Sequence, residues 1–219
     1  MVDVIYLDNH LLVADKPVGL VTQPTDVSDD SFQEQCQRWL KVHANKPGNV
    51  FLHPAHRIDK PVSGIVVFAK TSKALSRLND AFRQHKVRKS YIAWVEGQLE
   101  ASEGTLEHYL AHDSHFARVT STADPEGKLC RLHFRVIARH PTYSVVEVEL
   151  ETGRYHQIRA QFAAIGAPIV GDKRYGSSRF FVPEGIALQH AKIQLPHPTS
   201  QQLLSFAVKA PLGALPLSP

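Results

Sequence analysis

Two short stretches of this 219-residue chain concentrate side chains that can move protons or charge. In His56-Arg57-Ile58-Asp59-Lys60-Pro61-Val62-Ser63-Gly64, a carboxylate, cations and a hydroxyl sit among chain breakers immediately before an apolar run. Asp59 there can act as nucleophile or base, and Arg57 can meet an anionic substrate. Most polar loops are plain surface; a loop seated on a rigid strand is the arrangement that carries active sites. In Thr152-Gly153-Arg154-Tyr155-His156-Gln157-Ile158-Arg159, His156 and Arg159 stand three apart and can share a helix face. Arg159 then either joins a solvated polar face or turns inward to grip a carboxylate or phosphate through its planar fork. The residues alone leave both readings open.

Other chemistries lack their signatures. His53 and His56 flank Pro54, which disfavours a regular metal-binding helix, and His108, His112 and His115 have neither an HExxH frame nor a cysteine pair beside them. The 13 histidines are otherwise scattered. No GxGxxG, GxxxxGK[ST] or GxSxG pattern occurs, so dinucleotide, phosphate-loop and elbow-serine hydrolase readings have no specific support. Cys36 and Cys130 are too few for a disulfide framework or a cysteine-rich metal site. The expectation is chemistry without a metal or other cofactor.

The elements around these stretches are short. Val4–Leu7 and Leu11–Ala14 read as a hairpin turning at Asp8-Asn9-His10. Thr22 to Asp30 reads as loop. Ser31 and Glu34 form a capping box ahead of a helix with Phe32, Cys36, Trp39 and Leu40 on its inner face, ending before Asn45-Lys46-Pro47-Gly48. Ile65–Ala69 reads as a buried strand, and Thr71-Ser72 starts a second helix with Leu75, Leu78 and Phe82 inward. Tyr91–Val95 is a strand ended by Gly97, with Tyr91, Ala93 and Val95 facing one way. Ala101–Lys128 reads as short strands and loops of undefined order. Leu132–Ile137 and Tyr143–Leu150 pair as strands. Ile158, Phe162 and Ile165 mark a third helix with Gly166 as its C′ residue. A last strand near Leu203–Lys209 precedes a Pro-rich end. This order predicts an α+β fold.

Composition sets the class. Apolar residues make up 43% of the chain and charged residues 21%, which argues against wholesale disorder. No run approaches the roughly 20 apolar residues that span a bilayer, and no basic leader precedes an apolar core, so the expectation is a soluble cytoplasmic protein. The net charge of +4 weakly favours an anionic partner. Its distribution says more: Lys70 to Lys89 holds seven Lys or Arg residues against one acid, Asp80.

Four ordered blocks carry a family resemblance. Asp15-Lys16-Pro17-Val18-Gly19-Leu20 is similar to N-K-P-x-G-L. His56 to Gly64 is similar to H-R-L-D-x-x-T-S-G. Lys89-Ser90-Tyr91-Ile92-Ala93-Trp94-Val95-Glu96-Gly97 is similar to K-x-Y-x-A-x-V-x-G. Thr152 to Arg159, followed by Gly166-Ala167-Pro168-Ile169-Val170-Gly171-Asp172-Lys173-Arg174-Tyr175-Gly176, is similar to T-G-R-x-H-Q-I-R…G-x-P-I-x-G-D-x-x-Y-G. A weaker match follows at His190-Ala191 and Pro196-His197-Pro198. Together they resemble the RluA-type pseudouridine synthases, which isomerise chosen uridines in ribosomal or transfer RNA. Asp15 replaces the usual Asn, Val62 the usual Thr, and Ala160-Gln161 stands where R-x-H often follows.

The resemblance implies a single catalytic domain over residues 1–219, built on a bent, mostly antiparallel mixed sheet, without the N-terminal RNA-binding extension of some relatives. It implies that no cofactor is used and that the protein is a monomer acting on a stem-loop of tRNA or rRNA. Asp59 becomes the essential carboxylate, attacking C1′ or deprotonating C2′. Arg159 becomes its charged partner, and Tyr91 the ring that packs on the detached uracil. Arg57 enters the RNA where the target nucleotide flips out. His56, Arg154, His156 and Gln157 fall against the substrate, and Arg83, Lys86 and Lys89 join Lys70, Lys73, Arg77 and Arg88 in a phosphate track. Gly171-Asp172 is implied to be structural, a tight turn whose carboxylate anchors backbone or Arg groups. A catalytically silent RNA-binding relative is the alternative, and the presence of Asp59, Tyr91 and Arg159 argues against it.

Overall fold

A computed structural model describes residues 2–26, 30–45 and 48–212. The chain divides into two compact units: residues 1–89 with 190–209, and residues 90–189 with 210–219. The chain passes between them inside two strands, at Lys89-Ser90 and Gln189-His190. The Pro-rich end expected after the last strand lies outside the described residues from position 213 onward.

The first unit begins with the expected hairpin, β1 (Asp3–Leu7) and β2 (Leu11–Lys16), paired antiparallel. Its turn is local chemistry: the Asp8 carboxylate accepts the N–H groups of His10 and Leu11, both at 2.7 Å. Strand β2 pairs with β4 (Ser63–Ala69), and the two-residue β3 (His53–Pro54) pairs on the other side of β4. Leu11–Ala14 and Ile65–Ala69 are wholly buried. Continuous apolar runs of this kind belong to strands covered on both faces. Helix α1 (Phe32–His43) starts at a complete Ser31/Glu34 capping box and packs Phe32 against Phe68 at 5.7 Å between ring centroids. Phe32, Cys36 and Leu40 are buried as expected, but Trp39 is half-buried and lies flat on His43. Helix α2 (Ser72–Arg83) is capped by Thr71, whose hydroxyl accepts the N–H of Ala74. Its buried line is Ala74, Leu78 and Ala81, with Leu75 and Phe82 half-buried at its margins. The predicted stripe followed the larger side chains; close approach of helix to sheet selects the small ones.

A strand absent from the sequence reading, β10 (Leu188–Pro196), neighbours β4, and β11 (Leu203–Ala207) pairs antiparallel with it. Its first two residues belong to the second unit.

That second unit is built on an antiparallel sheet whose order departs from chain order. The order β5 (Arg88–Glu96), β9 (Tyr143–Leu150), β8 (Lys128–His140), β6 (Glu103–Asp113), β7 (Phe116–Thr120) is antiparallel at every step. The expected short strands and loops after Ala101 are instead one long hairpin of β6 and β7. Helix α3 (Gln157–Ala164) packs Phe162 against Phe134 of β8. Gly166 follows with φ of 75°, the left-handed residue that ends the helix. Ile165, expected inward, is 41% exposed because the helix has already closed at that position. With three helices on a largely antiparallel sheet framework, the α+β expectation holds among the described residues.

Candidate active site

The first unit holds Asp59 on a loop between β3 and β4. The backbone turns there, the Val62 N–H donating to the Asp59 carbonyl at 3.0 Å. The loop is sewn to the segment after β2. Thr22 Oγ1 donates to the Ile58 carbonyl at 2.8 Å and accepts the Ile58 N–H at 3.3 Å. The Gly19 N–H donates to the Lys60 carbonyl at 2.9 Å. Lys16 completes the seam, its Nζ donating to the carbonyls of Pro17, Leu20 and Lys60 at 2.9, 2.7 and 3.3 Å.

Lys16 is 0% exposed. Burial pulls its pKa down to about 7, against the pull of the Asp59 and Asp15 carboxylates. Sequence reasoning placed Lys16 in a matching block but gave it no role. The available signal was a lysine ending an apolar strand immediately before Pro17, where an ordinary surface lysine has no reason to be. The Asp59 carboxylate is half-buried in the field of this cation.

Gly64 follows the loop with φ of 116°, and a Cβ there would stand 2.4 Å from the His190 carbonyl oxygen. Only a bare backbone fits between these strands. Val62, at the position where the resembled motif has Thr, is buried, a setting that suits an apolar side chain. His56, expected against the substrate, has a ring committed to the interior. Its Nε2 accepts the Val67 N–H, and it packs on Phe82 and edge-on to His190. Burial, then the neighbouring His190 and Lys89, hold His56 neutral. Arg57 is exposed.

The basic interval divides. Lys70 donates to the Asp8 carbonyl, Arg77 donates to the Pro198 carbonyl at 2.8 Å, and Lys89 is half-buried 5.9 Å from the centre of the Phe82 ring. Lys73, Arg83, Lys86 and Arg88 lie on the surface, with Arg83 paired to Asp80.

The second unit holds Tyr91 and Arg159. Tyr91 lies in β5 opposite Val148 and is 7% exposed. Arg159 is buried in the first turn of α3, and its fork grips Asp172: Nε to Oδ2 at 2.6 Å and Nη2 to Oδ1 at 2.9 Å. The inward reading of Arg159 therefore holds, and Asp172 anchors an arginine as expected. The Arg159 guanidinium also lies 5.0 Å over the Tyr175 ring.

The turn before α3 is fixed from within. His156 sits at its N-cap with φ of 51°, stacks on Tyr155 at 3.8 Å and shares a 2.9 Å contact from Nδ1 to the Tyr175 hydroxyl. Burial, then Arg159, push the His156 pKa down to about 3, so the ring is neutral. Gln157 spends its amide on the fold, accepting from Thr152 and the Arg154 N–H and donating to the Arg131 carbonyl. Gln161, the departure noted in this block, donates to the carbonyls of Leu106 and Cys130 and ties α3 to β6 and β8. Of the four residues expected against substrate besides Arg57, only Arg154 is exposed. Among the described residues, no group of three or more His, Cys, Asp or Glu is placed to hold a metal ion.

Comparison with known proteins finds a matching family model and similar chains. The family model for RNA pseudouridylate synthase matches residues 10–164. An uncharacterized RNA pseudouridine synthase of Bacillus subtilis, YhcT, is 33% identical over 97% of this chain and 69% of its own length. The dual-specificity RNA pseudouridine synthase RluA of Haemophilus influenzae is 34% identical over 95% of this chain and 93% of its own. The solved structure of human RNA pseudouridylate synthase domain containing 4 shares the fold, with a TM-score of 0.80 at 19% identity, over 95% of this chain and 88% of that one.

Proposed function

Because the chain belongs to the RluA-type RNA pseudouridine synthases, isomerases that convert uridine in RNA to pseudouridine, we propose that Asp59 is the carboxylate acting on the ribose of the target uridine. The observation that carries this is the setting of Asp59: half-buried, on a loop pinned to residues 16–22, facing the field of a buried lysine. Breaking the N1–C1′ bond and rejoining the base through C5 needs no redox change and no group donor. It does need an ionised carboxylate held at the sugar. Tyr91 supplies the flat, buried ring for the detached uracil, and Arg159, fixed by Asp172, supplies positive charge that favours ionised oxygens. Arg57 takes the place of the flipped nucleotide, since a guanidinium plane can stack while staying near phosphate. The surface cations Lys73, Arg83, Lys86 and Arg88 bind the RNA backbone and set position rather than sequence.

The substrate is a stem-loop of tRNA or rRNA in the cytoplasm. A relative of nearly the same length is named a dual-specificity RNA enzyme, which is consistent with recognition of local RNA shape. Asp59→Asn tests the assignment. It retains shape but not charge, so the variant is expected to melt like the parent and to form no pseudouridine in native RNA. A well-folded variant with near-normal yield would remove Asp59 from the role. Chemical mapping of pseudouridine in total RNA, with and without the gene, identifies the target.

A further inference from the structure

We propose that Phe180 is a stacking platform for an unpaired base of the RNA substrate, carried on a rigid basic strip that also holds Arg159. The inference rests on RNA being the substrate. Phe180 is 71% exposed. A single exposed apolar residue is ordinary, but the backbone under this one is unusually fixed. The Glu96 carboxylate accepts Ser177 Oγ at 2.5 Å, the Ser178 N–H at 3.0 Å and the Arg179 N–H at 3.2 Å. On the other side Phe181 packs edge-on to Trp94 at 5.7 Å. Phe180 is thus held outward between an anchored residue and a packed one, and its ring is presented at little entropic cost on binding.

The charge around it suits RNA. Lys173, Arg174 and Arg179 are exposed, and residues 173–183 contain no acid. Asp172 before the strip is engaged by Arg159 and Glu96 beneath it by the loop itself, while the exposed Glu184 closes the strip at its far end. An aromatic face among cations binds single-stranded nucleic acid by base stacking and phosphate attraction together. The strip begins at the carboxylate that fixes Arg159, so a base stacked on Phe180 belongs to the nucleotides flanking the target.

The test is equilibrium binding of a labelled oligouridylate about 12 nucleotides long, and of an abasic ribose-phosphate oligomer of equal length and charge. Phe180→Ala is expected to weaken oligouridylate binding about tenfold and to leave the abasic oligomer unchanged. Phe180→Trp should retain the difference between the probes, while Phe180→Leu should behave like the Ala variant. Unchanged oligouridylate affinity in the Ala variant, equal losses on both probes, or full rescue by Leu would each overturn the proposal. So would a change in sedimentation of the RNA-free Ala variant, which would make this face a protein contact. If wild type forms pseudouridine normally while the Ala variant binds both probes as wild type does, the stacking role alone fails. If wild type binds neither probe and makes no pseudouridine, the RNA assignment fails with it.

Discussion

Arg159 and Lys16 are both buried cations, and the partners that surround them decide what their removal does. Arg159 is held through two parallel bonds to Asp172, so deleting the carboxylate removes the acceptor of both in a buried setting. Asp172→Ala should therefore cost about 3–5 kcal/mol in urea unfolding, and Asp172→Asn less, because one acceptor survives. A loss below about 1 kcal/mol for the Ala variant would mean that the guanidinium is satisfied without Asp172. Lys16 has no carboxylate in its hydrogen-bond set, only three carbonyls, and burial has brought its pKa from 10.5 down to about 7. In the window from about 7 to 10.5 the unfolded chain holds a proton that the fold has released. Stability should therefore rise with pH across that window, by at most about 1.4 kcal/mol per pH unit from this group. Lys16→Met should remove that slope, destabilise the fold by about 1–3 kcal/mol through the orphaned carbonyls, and lower activity by loosening the Asp59 loop. A variant with parental pH dependence would show that Lys16 is not the titrating group. The carboxylate that grips Arg159 through both arms of its fork is Asp172, thirteen residues on. Spacing along the chain could suggest that Asp172 anchors something, but it could not choose which cation.

At the scale of elements, what was legible was what is decided locally. The Asp8 turn, the Ser31 capping box and the Thr71 cap each close within three residues, and all three stand where the sequence put them. The burial of Arg159 was one of two readings that the chain alone could not separate. Strand β10 escaped notice because Leu188–Pro196 mixes Gln189, His190 and Lys192 with its apolar positions. The line of α2 was misjudged because Ala74 and Ala81 look incidental until a sheet lies against them. Long-range packing also explains Gly64, whose place in a motif says nothing of the reason for it. At this residue the chain has a left-handed φ and the His190 backbone lies where a side chain would begin. Gly64→Ala forces strands β4 and β10 apart at the foot of the Asp59 loop. The expected result is destabilisation of more than about 3 kcal/mol, at the upper end for a point substitution. A melting temperature within a few degrees of the parent would mean that the strands separate freely and that the loop is not held from this side.

For the molecule as a whole, the neutral histidines set the response to acid. His56 and His190 lie in the first unit and His156 in the second, so both units are affected. His190 is fully buried, its Nδ1 2.7 Å from the Ile65 carbonyl, and burial lowers its pKa to about 4. His156 is brought to about 3 by burial and by the cations Arg159 and Arg174, with Asp172 opposing them. His56 is pushed well below 6.5 by burial and by His190 and Lys89. In the unfolded chain all three return to an ordinary value near 6.5. Their contribution is therefore complete above pH 6.5 and is lost as pH falls toward the folded values, because the unfolded state takes up protons that the fold refuses. Each residue adds a slope of up to about 1.4 kcal/mol per pH unit in that window. The carboxylates whose pKa is lowered by hydrogen bonds, Asp8 and Asp124 among them, begin to matter only further down. Stability should thus fall steeply between about pH 6.5 and 4, ahead of ordinary carboxylate titration. Urea unfolding at half-unit pH steps measures the slope directly. Replacing His156 by Gln, which keeps a polar group beside the Tyr175 hydroxyl, should flatten the slope by up to one proton's worth at some cost in overall stability. A parent protein equally stable at pH 7 and pH 5 would show that these rings accept protons in place, and that the sites around His156 and His190 are wetter than their burial implies.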